Sequence, residues 1–467
     1  MNKTLAPHLI RDLPASPPLK KLLGPSFILL GLGLGSGEVI LWPYLSSHFG
    51  LGLVWAAIAG LTFQFFLNLE IERYTLVKGE SIFVGLTRRW RRLPYWFILS
   101  TFLGFGWPGI IAASAKLISG ATNIAHFDWI AIALLIIIGL ILSLGPVLYK
   151  TVETFQKIII SVGVPAIIIL AIFMAKGVDW TALANGLIGH GNGYWFIPKG
   201  LPLFTFLGAL AYAGAGGNLN LAQSFYIKEK GYGMGQFSGR ITSLLSGKVE
   251  DIALEGSTFE PTPANLSRFK QWWRNINLEH WLVFWLTGVV TITMLIFLSY
   301  CVTYGVGGTD KGLDFILTEA KLIGLSSFKV IGTLFLLVAA LTLFATQLTI
   351  LDSTSRIISE NIILINPAKI AAKRLPKFYY IVIWTQILFG IIVFLVGFSE
   401  PRTLITVGAV INAMAMFVYI ILVLIINRKD LPRPVRPAWW RQLILVIMWL
   451  FFGVLATLAV TQFFQSA

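Results

Sequence analysis

An acidic residue that directly follows a run of glycines is the clearest candidate for chemistry in this sequence. The tetrapeptide Gly35-Ser36-Gly37-Glu38 interrupts a long apolar segment that continues to Pro43. A carboxylate inside a membrane-spanning segment is costly unless it binds a cation, shares a proton or is neutral. Glu38 is therefore the first predicted ion-binding residue and the candidate metal ligand, supported by the backbone of Gly35–Gly37.

A second glycine-rich run lies in a later apolar segment and is also followed by polar side chains. It comprises Ala213, Gly214, Ala215, Gly216 and Gly217, then Asn218 and Asn220. Glycine in a membrane helix most often permits close helix packing. Clustered glycines, however, point in different directions around a helix and lower the cost of leaving helical geometry. Both runs therefore predict broken helices, whose free carbonyls and amides are tolerable only beside a buried or wet cavity.

Other polar residues in apolar segments have an ordinary explanation as well as a functional one. Thr346, Gln347 and Asn412 would form interhelical hydrogen bonds by default, but they lie in segments that would surround the site. Lys116 could support the site or extend from a helix end to the membrane surface. Asp352 and Arg356 have i,i+4 spacing, which predicts an ion pair at the inner end of a span or an inner gate.

The sequence gives no positive support for an enzyme. The five histidines, His280 among them, fall in the tail, in loops or at predicted span ends, without metal-ligand spacing. Glu70, Glu72 and Arg73 are explained by an ion pair at the membrane surface. The single cysteine, Cys301, excludes an intrachain disulfide. No cofactor is predicted.

The elements that must position these residues are membrane-spanning helices. Of the 467 residues, 56% are apolar and 12% charged, against roughly 25% charged in a soluble protein. Apolar runs of about 20 residues recur along the chain. They predict an all-α membrane protein with eleven spans, near 24–47, 51–72, 95–119, 128–147, 157–176, 203–226, 280–304, 329–351, 378–398, 401–427 and 442–462.

The basic residues predict how these spans are oriented. With a cytosolic N-terminus, 29 of the 36 Lys and Arg fall in cytosolic segments and 6 in outer ones. This asymmetry follows the positive-inside rule. We therefore expect a cytosolic N-terminus and an extracytoplasmic C-terminus in a bacterial cytoplasmic membrane. The net charge of +15 then reflects orientation in the lipid bilayer rather than a nucleic-acid partner.

The two predicted breaks divide the spans into two sets of five. They fall in spans one and six, and interrupted helices at matching places indicate an inverted-repeat transporter with a site near the membrane midplane. The predicted organisation is a cytosolic tail (1–23), a first five-helix repeat (24–177), an extracytoplasmic connection (178–202), a second repeat (203–427), and a cytosolic loop with an eleventh helix (428–467).

From Gly24 through the last span, the chain resembles the Nramp family of divalent-metal transporters. The stretches that carry the resemblance are Gly35–Pro43, Asn68–Tyr74, Ala211–Gly235 and Asp352–Ile357. The resemblance implies the leucine-transporter type of fold, an inverted five-plus-five repeat with an eleventh helix, and alternating access. The chain is most similar to a bacterial branch that has Gly-Ser-Gly-Glu in the first helix.

The metal site is where this sequence departs from the family. The family's first-helix motif Asp-Pro-Gly-Asn is replaced by Gly35–Glu38, and its sixth-helix Met-Pro-His by Ala215–Gly217. The acidic pair of the third helix is also missing. Because thioether and imidazole ligands are absent, carboxylate, amide and carbonyl oxygens remain, which favour a hard, partly hydrated cation.

An organic substrate is the alternative that the sequence leaves open. Gly33–Gly37 is also similar to the first-helix motif of amino acid–polyamine transporters, which share the fold. In that case free glycine amides would bind a carboxyl group, and Glu38 an amino group. The predicted partner is thus a small cation or a small organic molecule.

Overall fold

The computed structural model describes residues 5–144, 148–239, 254–307, 312–398 and 400–466. Within them, ten helical segments are long and apolar enough to cross a membrane. The remaining predicted span, the sixth, is split into two short helices, Leu203–Ala211 and Leu219–Lys230. The predicted eleven spans are therefore present, and the sixth is broken.

The spans are numbered here in chain order. Their helices are Pro25–Gly33, Gly37–Leu41 and Trp42–Phe49 (span 1), Val54–Lys78 (span 2), Leu93–Phe105 and Gly109–Thr122 (span 3), Phe127–Leu144 (span 4), Leu148–Met174 (span 5), Leu203–Ala211 and Leu219–Lys230 (span 6), Trp281–Leu286 and Thr287–Thr303 (span 7), Lys329–Ile365 (span 8), Leu375–Leu395 (span 9), Pro401–Asp430 (span 10) and Trp439–Ser466 (span 11).

The other elements are short helices and two small strand pairs. Helices outside the spans are Leu19–Leu22, Leu51–Leu53, Ile82–Arg89, Gly177–Leu187, Gly233–Phe237, Pro263–His280, Asp314–Ser326, Ala372–Arg374 and Arg433–Val435. Leu9–Ile10 pairs in parallel with Ser257–Thr258, and His190–Gly191 pairs antiparallel with Tyr194–Trp195.

Local sequence explains where several of these helices begin and end. Proline occupies the first turn of spans 1 and 10, where its missing N–H is no loss and its fixed φ suits a helix. Gly79 ends span 2 with a φ of 62°. This left-handed conformation suits glycine, which carries no Cβ.

Spans 3, 5, 7 and 8 differ from prediction in ways that bear on the site. Span 3 is interrupted between Phe105 and Gly109, since Pro108 cannot donate a backbone hydrogen bond. Span 5 begins at Leu148, span 7 continues without a break from the helix Pro263–His280, and span 8 runs on to Ile365. The added turns of spans 7 and 8 carry polar side chains that are buried in the protein, which hydropathy cannot distinguish from an exposed loop.

Burial separates the central spans from those that face lipid. In span 1, 100% of the residues in the apolar stretch are buried. In spans 4, 5 and 11, the buried share of the corresponding stretch is 33%, 22% and 28%. The half-helices of span 6 pack against span 10 and span 2, and span 8 packs along span 3. Spans 1 and 6 therefore lie inside the bundle, and the peripheral spans present apolar surface to the bilayer.

The connection between spans 2 and 3 is fixed by one buried acid. Glu80 lies 3.0 Å from Nη2 of Arg88 and 3.1 Å from Nε2 of His8. Burial by itself would raise the pKa of Glu80, but His8 and Arg88 outweigh it and lower the pKa to about 2. The N-terminal tail, this connection and the helix Ile82–Arg89 are thereby held together.

Candidate ion-binding site

The break in span 1 places Glu38 inside the protein. The first helix ends at Gly33, and the chain resumes in a widened helical turn from Gly37 to Leu41. The Glu38 side chain is 0% exposed, and within the described residues neither of its carboxyl oxygens has a hydrogen-bond partner. An ionised carboxylate in such a position requires a counter-charge.

The break in span 6 runs from Tyr212 to Asn218. Three of its glycines have positive φ: Gly214 at 115°, Gly216 at 72° and Gly217 at 49°. A side chain in these conformations would be strained, so glycine is required here for backbone freedom. The predicted reason for this glycine run is confirmed.

The two breaks contact each other beside Glu38. A methyl group on Gly33 would lie 2.8 Å from Cα of Gly214 and 3.3 Å from Oε1 of Glu38. A methyl group on Gly37 would lie 2.2 Å from the carbonyl oxygen of Tyr212. In span 1 the glycines therefore allow the backbones of the two breaks to approach closely, and they do not adopt unusual φ angles. This role differs from the one that we predicted for that run.

Gln64 of span 2 joins the two ends of the span 6 break. Its Nε2 donates to the carbonyl oxygen of Ala211 at 3.0 Å, and its Oε1 accepts from the N–H of Gly216 at 3.0 Å. Sequence reasoning missed this residue. The signal available was a single uncharged polar side chain in the middle of an apolar span, which is common in helix packing and did not point to the break.

Three asparagines surround the span 6 break. Nδ2 of Asn218 donates to Ser100 and Thr101 of span 3, and that of Asn220 donates to Tyr419 of span 10. Asn412 donates to the carbonyl of Gly104 at 2.9 Å and to the Tyr212 hydroxyl at 2.9 Å. Within the described chain, the amide oxygens of Asn218, Asn220 and Asn412 have no hydrogen-bond partner.

Of the two predicted span 8 residues, one reaches the break of span 1. The Thr346 hydroxyl lies 2.9 Å from the carbonyl oxygen of Gly31 and 3.4 Å from that of Leu34. Gln347 instead lines a cavity of about 10 Å³ beside Tyr212, close to the volume of one water.

The structure does not bring Lys116 to Glu38. Its ammonium lies 4.0 Å from Asp314 of the helix Asp314–Ser326, and its side chain is 27% exposed. Lys116 thus extends from span 3 towards a connecting helix.

Asp352 and Arg356 form the predicted ion pair, with Nε of Arg356 2.9 Å from Oδ1 of Asp352. The pair is fully buried, and the helix Lys329–Ile365 continues beyond it. Arg356 also binds Glu229, and the Tyr379 hydroxyl donates to Asp352 at 2.6 Å. The network links span 8 to the second half of span 6 and to span 9.

Around the two breaks, the carboxyl group of Glu38 and three amide oxygens have no hydrogen-bond partner among the described residues. Within the described residues, no group of three or more His, Cys, Asp or Glu is arranged to hold a metal ion. Oxygen donors of this kind suit hard cations that keep part of their water shell.

The sequence matches no family model and no curated protein. Solved structures do match. A mutant of the Eremococcus coleocola manganese transporter is 13% identical, with 97% of this chain and 90% of that chain covered and a TM-score of 0.71. Mhp1, a nucleobase-cation-symport-1 family transporter with bromovinylhydantoin bound, is 13% identical over 98% and 94%, with a TM-score of 0.52. MhsT in complex with L-phenylalanine is 14% identical over 97% and 99%, with a TM-score of 0.50.

The chain has the leucine-transporter type of fold. The predicted fold class is thereby confirmed, and the protein is an all-α multi-pass membrane protein. At identities of 13–14% these similarities concern the fold alone.

Proposed function

We infer that the protein is a secondary-active transporter of divalent metal cations, of a type related to the Nramp family, with a preference for hard cations. The observation that carries this proposal is Glu38, a fully buried carboxylate without a hydrogen-bond partner in the described chain, at the contact of two broken helices. Such a group is stable only if a proton or a cation neutralises it.

The donor set supports the choice of cation. Oxygen donors surround the breaks, and the positions aligned with the soft methionine and histidine ligands are Ala215 and Gly217. We expect the site to bind Mg²⁺ or Ca²⁺ more tightly than Mn²⁺. Transport by alternating access would require spans 1 and 6 to open on one side at a time, with Glu38 exposed in turn to each.

An amino acid or organic ion is the second candidate, and two matching structures hold such ligands. Two contacts favour the metal. The N–H of Gly216, which could bind a carboxyl group, already donates to Gln64. The breaks also touch directly at Gly33 and Gly214, so an organic molecule would have to separate them.

A ligand-stability screen on the purified protein tests the proposal. A ligand at about 100 times its Kd stabilises the folded state by about 2.7 kcal/mol. Unfolding temperatures would be compared for chloride salts of Mg²⁺, Ca²⁺ and Mn²⁺ and for a set of amino acids. Stabilisation by Mg²⁺ or Ca²⁺ supports the proposal. Stabilisation by Mn²⁺ alone would sink the hard-cation preference, and stabilisation by an amino acid alone would replace the metal by the organic substrate.

We also propose that the membrane is the bacterial cytoplasmic membrane, with the N-terminus in the cytosol. The distribution of basic residues supports this orientation.

A further inference from the structure

A second buried polar group lies on the predicted cytosolic side of the bundle, apart from Glu38. It is formed by spans 1, 2 and 6 together with the helix that leads into span 7, and each of its side chains is at most 1% exposed. We call it the inner cluster; its members are Ser26, Glu72, Gln223, Glu279 and His280. Glu72 and His280 were predicted at the ends of spans 2 and 7. The structure buries both side chains, because span 2 continues to Lys78 and the helix before span 7 runs into it.

The side chains of the inner cluster contact one another in a continuous chain, through hydrogen bonds and one close contact between an imidazole and a carboxyl group. Oε1 of Glu72 accepts from Nε2 of Gln223 at 2.7 Å and lies 3.2 Å from Nδ1 of His280. The same Nδ1 lies 2.8 Å from the hydroxyl of Ser26, which donates to Glu279. An imidazole and a hydroxyl thus connect two carboxyl groups that belong to different helices.

The charges around the cluster leave it short of cations. Within the described residues, no Lys or Arg side chain forms an ion pair with Glu72 or Glu279. Across the start of span 1, Lys230 and Lys157 pair with Glu153 at 2.9 and 2.6 Å, and the charge of Lys230 also acts on Glu279 without forming an ion pair with it. The other titratable or charged groups nearby are Tyr149 and Tyr232, and, on the opposite face of span 2, Glu70 with Arg73 and Arg441. Two buried carboxylates without a cation repel each other, so the cluster favours holding a proton.

The cluster also holds the start of span 1. Oε1 of Glu279 accepts from the N–H of Gly24 at 3.5 Å, and Ser26 belongs to the first turn of the span. A second negative charge in the cluster would push spans 2 and 7 apart and loosen this attachment. Protonation would therefore hold the first half of span 1 in place.

A polar face of span 2 leads from the candidate ion site to the cluster. Gln64, Asn68 and Glu72 have i,i+4,i+8 spacing and share one face of the helix over about 12 Å. Gln64 binds the break of span 6, and Glu72 belongs to the cluster. Both amide atoms of Asn68 lack a partner among the described residues, as do Oε2 of Glu72 and Nε2 of His280. These free polar atoms suit water or an ion that passes between the two sites.

We propose that the inner cluster is a proton-binding site that couples protonation to the position of the first half of span 1. The ligand is a proton from water on the predicted cytosolic side. It binds one of the two carboxylates, and no other bond changes. This inference rests on the proposed transport function, because it names the coupling ion in a chain that lacks the acidic pair of the third helix.

Infrared difference spectroscopy of the purified protein tests the proposal without any substrate. A protonated carboxyl group has a C=O stretching band that disappears on ionisation. Between about pH 5 and pH 9, the wild type should lose such a band, and E279Q or E72Q should abolish that loss. H280Q should move the midpoint of this loss by about one pH unit, because the carboxyl group that gives the band loses a polar neighbour. The matched control, E360Q, alters a buried carboxyl of span 8 and should leave the transition in place.

A second measurement reads the movement of span 1. A single cysteine is introduced as L30C, in a chain that also carries C301S, and its rate of reaction with a small thiol reagent is measured against pH. Because the thiolate fraction of any cysteine rises with pH, the same cysteine in an E279Q background serves as the reference. The ratio of the two rates should rise as the pH passes through the transition of the cluster, and a ratio that stays constant would contradict a movement of span 1. An infrared transition unchanged in both E72Q and E279Q would overturn the proposal, even if metal binding persists. If the wild type shows the infrared transition but binds none of the metals, only the proposed substrate is overturned.

Discussion

The close contact of the two broken helices leads to a quantitative prediction at Gly37. A methyl group there would lie 2.2 Å from the carbonyl oxygen of Tyr212, whereas ordinary contact begins at 3.4 Å. The substitution G37A therefore requires the break of span 6 to retreat by about 1.2 Å. Overpacking of this kind costs about 1–3 kcal/mol, which exceeds the roughly 0.5–1 kcal/mol that alanine gains over glycine in a helix.

The matched control is G163A in span 5. Gly163 is buried in a helix, but a methyl group there would lie 3.8 Å or more from its nearest neighbours. G163A should be neutral or stabilising by up to about 1 kcal/mol. Thermal unfolding in detergent, followed by intrinsic tryptophan fluorescence, would measure both variants, with about 1–2 °C expected per kcal/mol in a chain of this length.

The response to ligand distinguishes a local shift at the contact of the two breaks from a general destabilisation of the protein. Because Glu38 adjoins the same contact, G37A should also lose most of the stabilisation that the wild type gains from its cation, and G163A should keep it. If G37A unfolds at the temperature of G163A and responds to the ligand like the wild type, the two breaks do not meet as described.

Three further predictions concern backbone strain, a buried ion pair and acid stability. G216A should destabilise the protein by about 1–2 kcal/mol, because alanine at a φ of 72° is strained; an unchanged unfolding temperature would contradict this. D352N should destabilise it by about 3–5 kcal/mol, because it removes one of the two carboxylates that bind the buried guanidinium of Arg356. D430N, whose partner Arg89 is about one-third exposed, should cost at most about 1 kcal/mol; equal effects in the two variants would argue against the buried network. The pKa of Glu80 is lowered to about 2, so its stabilising contribution is complete above about pH 4.5 and lost as the pH falls towards 2. The unfolding temperatures of the wild type and E80Q should therefore converge over that interval, and a constant difference would refute the assignment.

The arrangement of the spans was predictable from the sequence because it depends on local properties. Apolar runs of membrane length predict the spans, and the clustered glycines before Asn218 predict the break of span 6. The same reasoning singled out Glu38, since so few ionisable residues lie inside the apolar segments. Its complete burial at the contact of the two breaks agrees with that choice.

The partners of these residues could not be predicted, because they depend on tertiary packing. Gln64 is remote from the breaks in sequence and reaches them only because span 2 packs against span 6. Hydropathy ended span 8 before Asp352, since it treats a buried ion pair as a surface one. His280 and Glu72 were similarly assigned to span ends, although they meet inside the bundle.

The most direct test of the account is cation binding by E38Q compared with the wild type. The glutamine is nearly isosteric and removes the charge that would bind the cation. Titration with Mg²⁺, Ca²⁺ and Mn²⁺, followed by unfolding temperature or calorimetry, should show that E38Q loses at least tenfold in affinity for the preferred cation, about 1.4 kcal/mol. E360Q should bind like the wild type. Equal binding by E38Q and the wild type would contradict the central claim that Glu38 is the ion-binding residue.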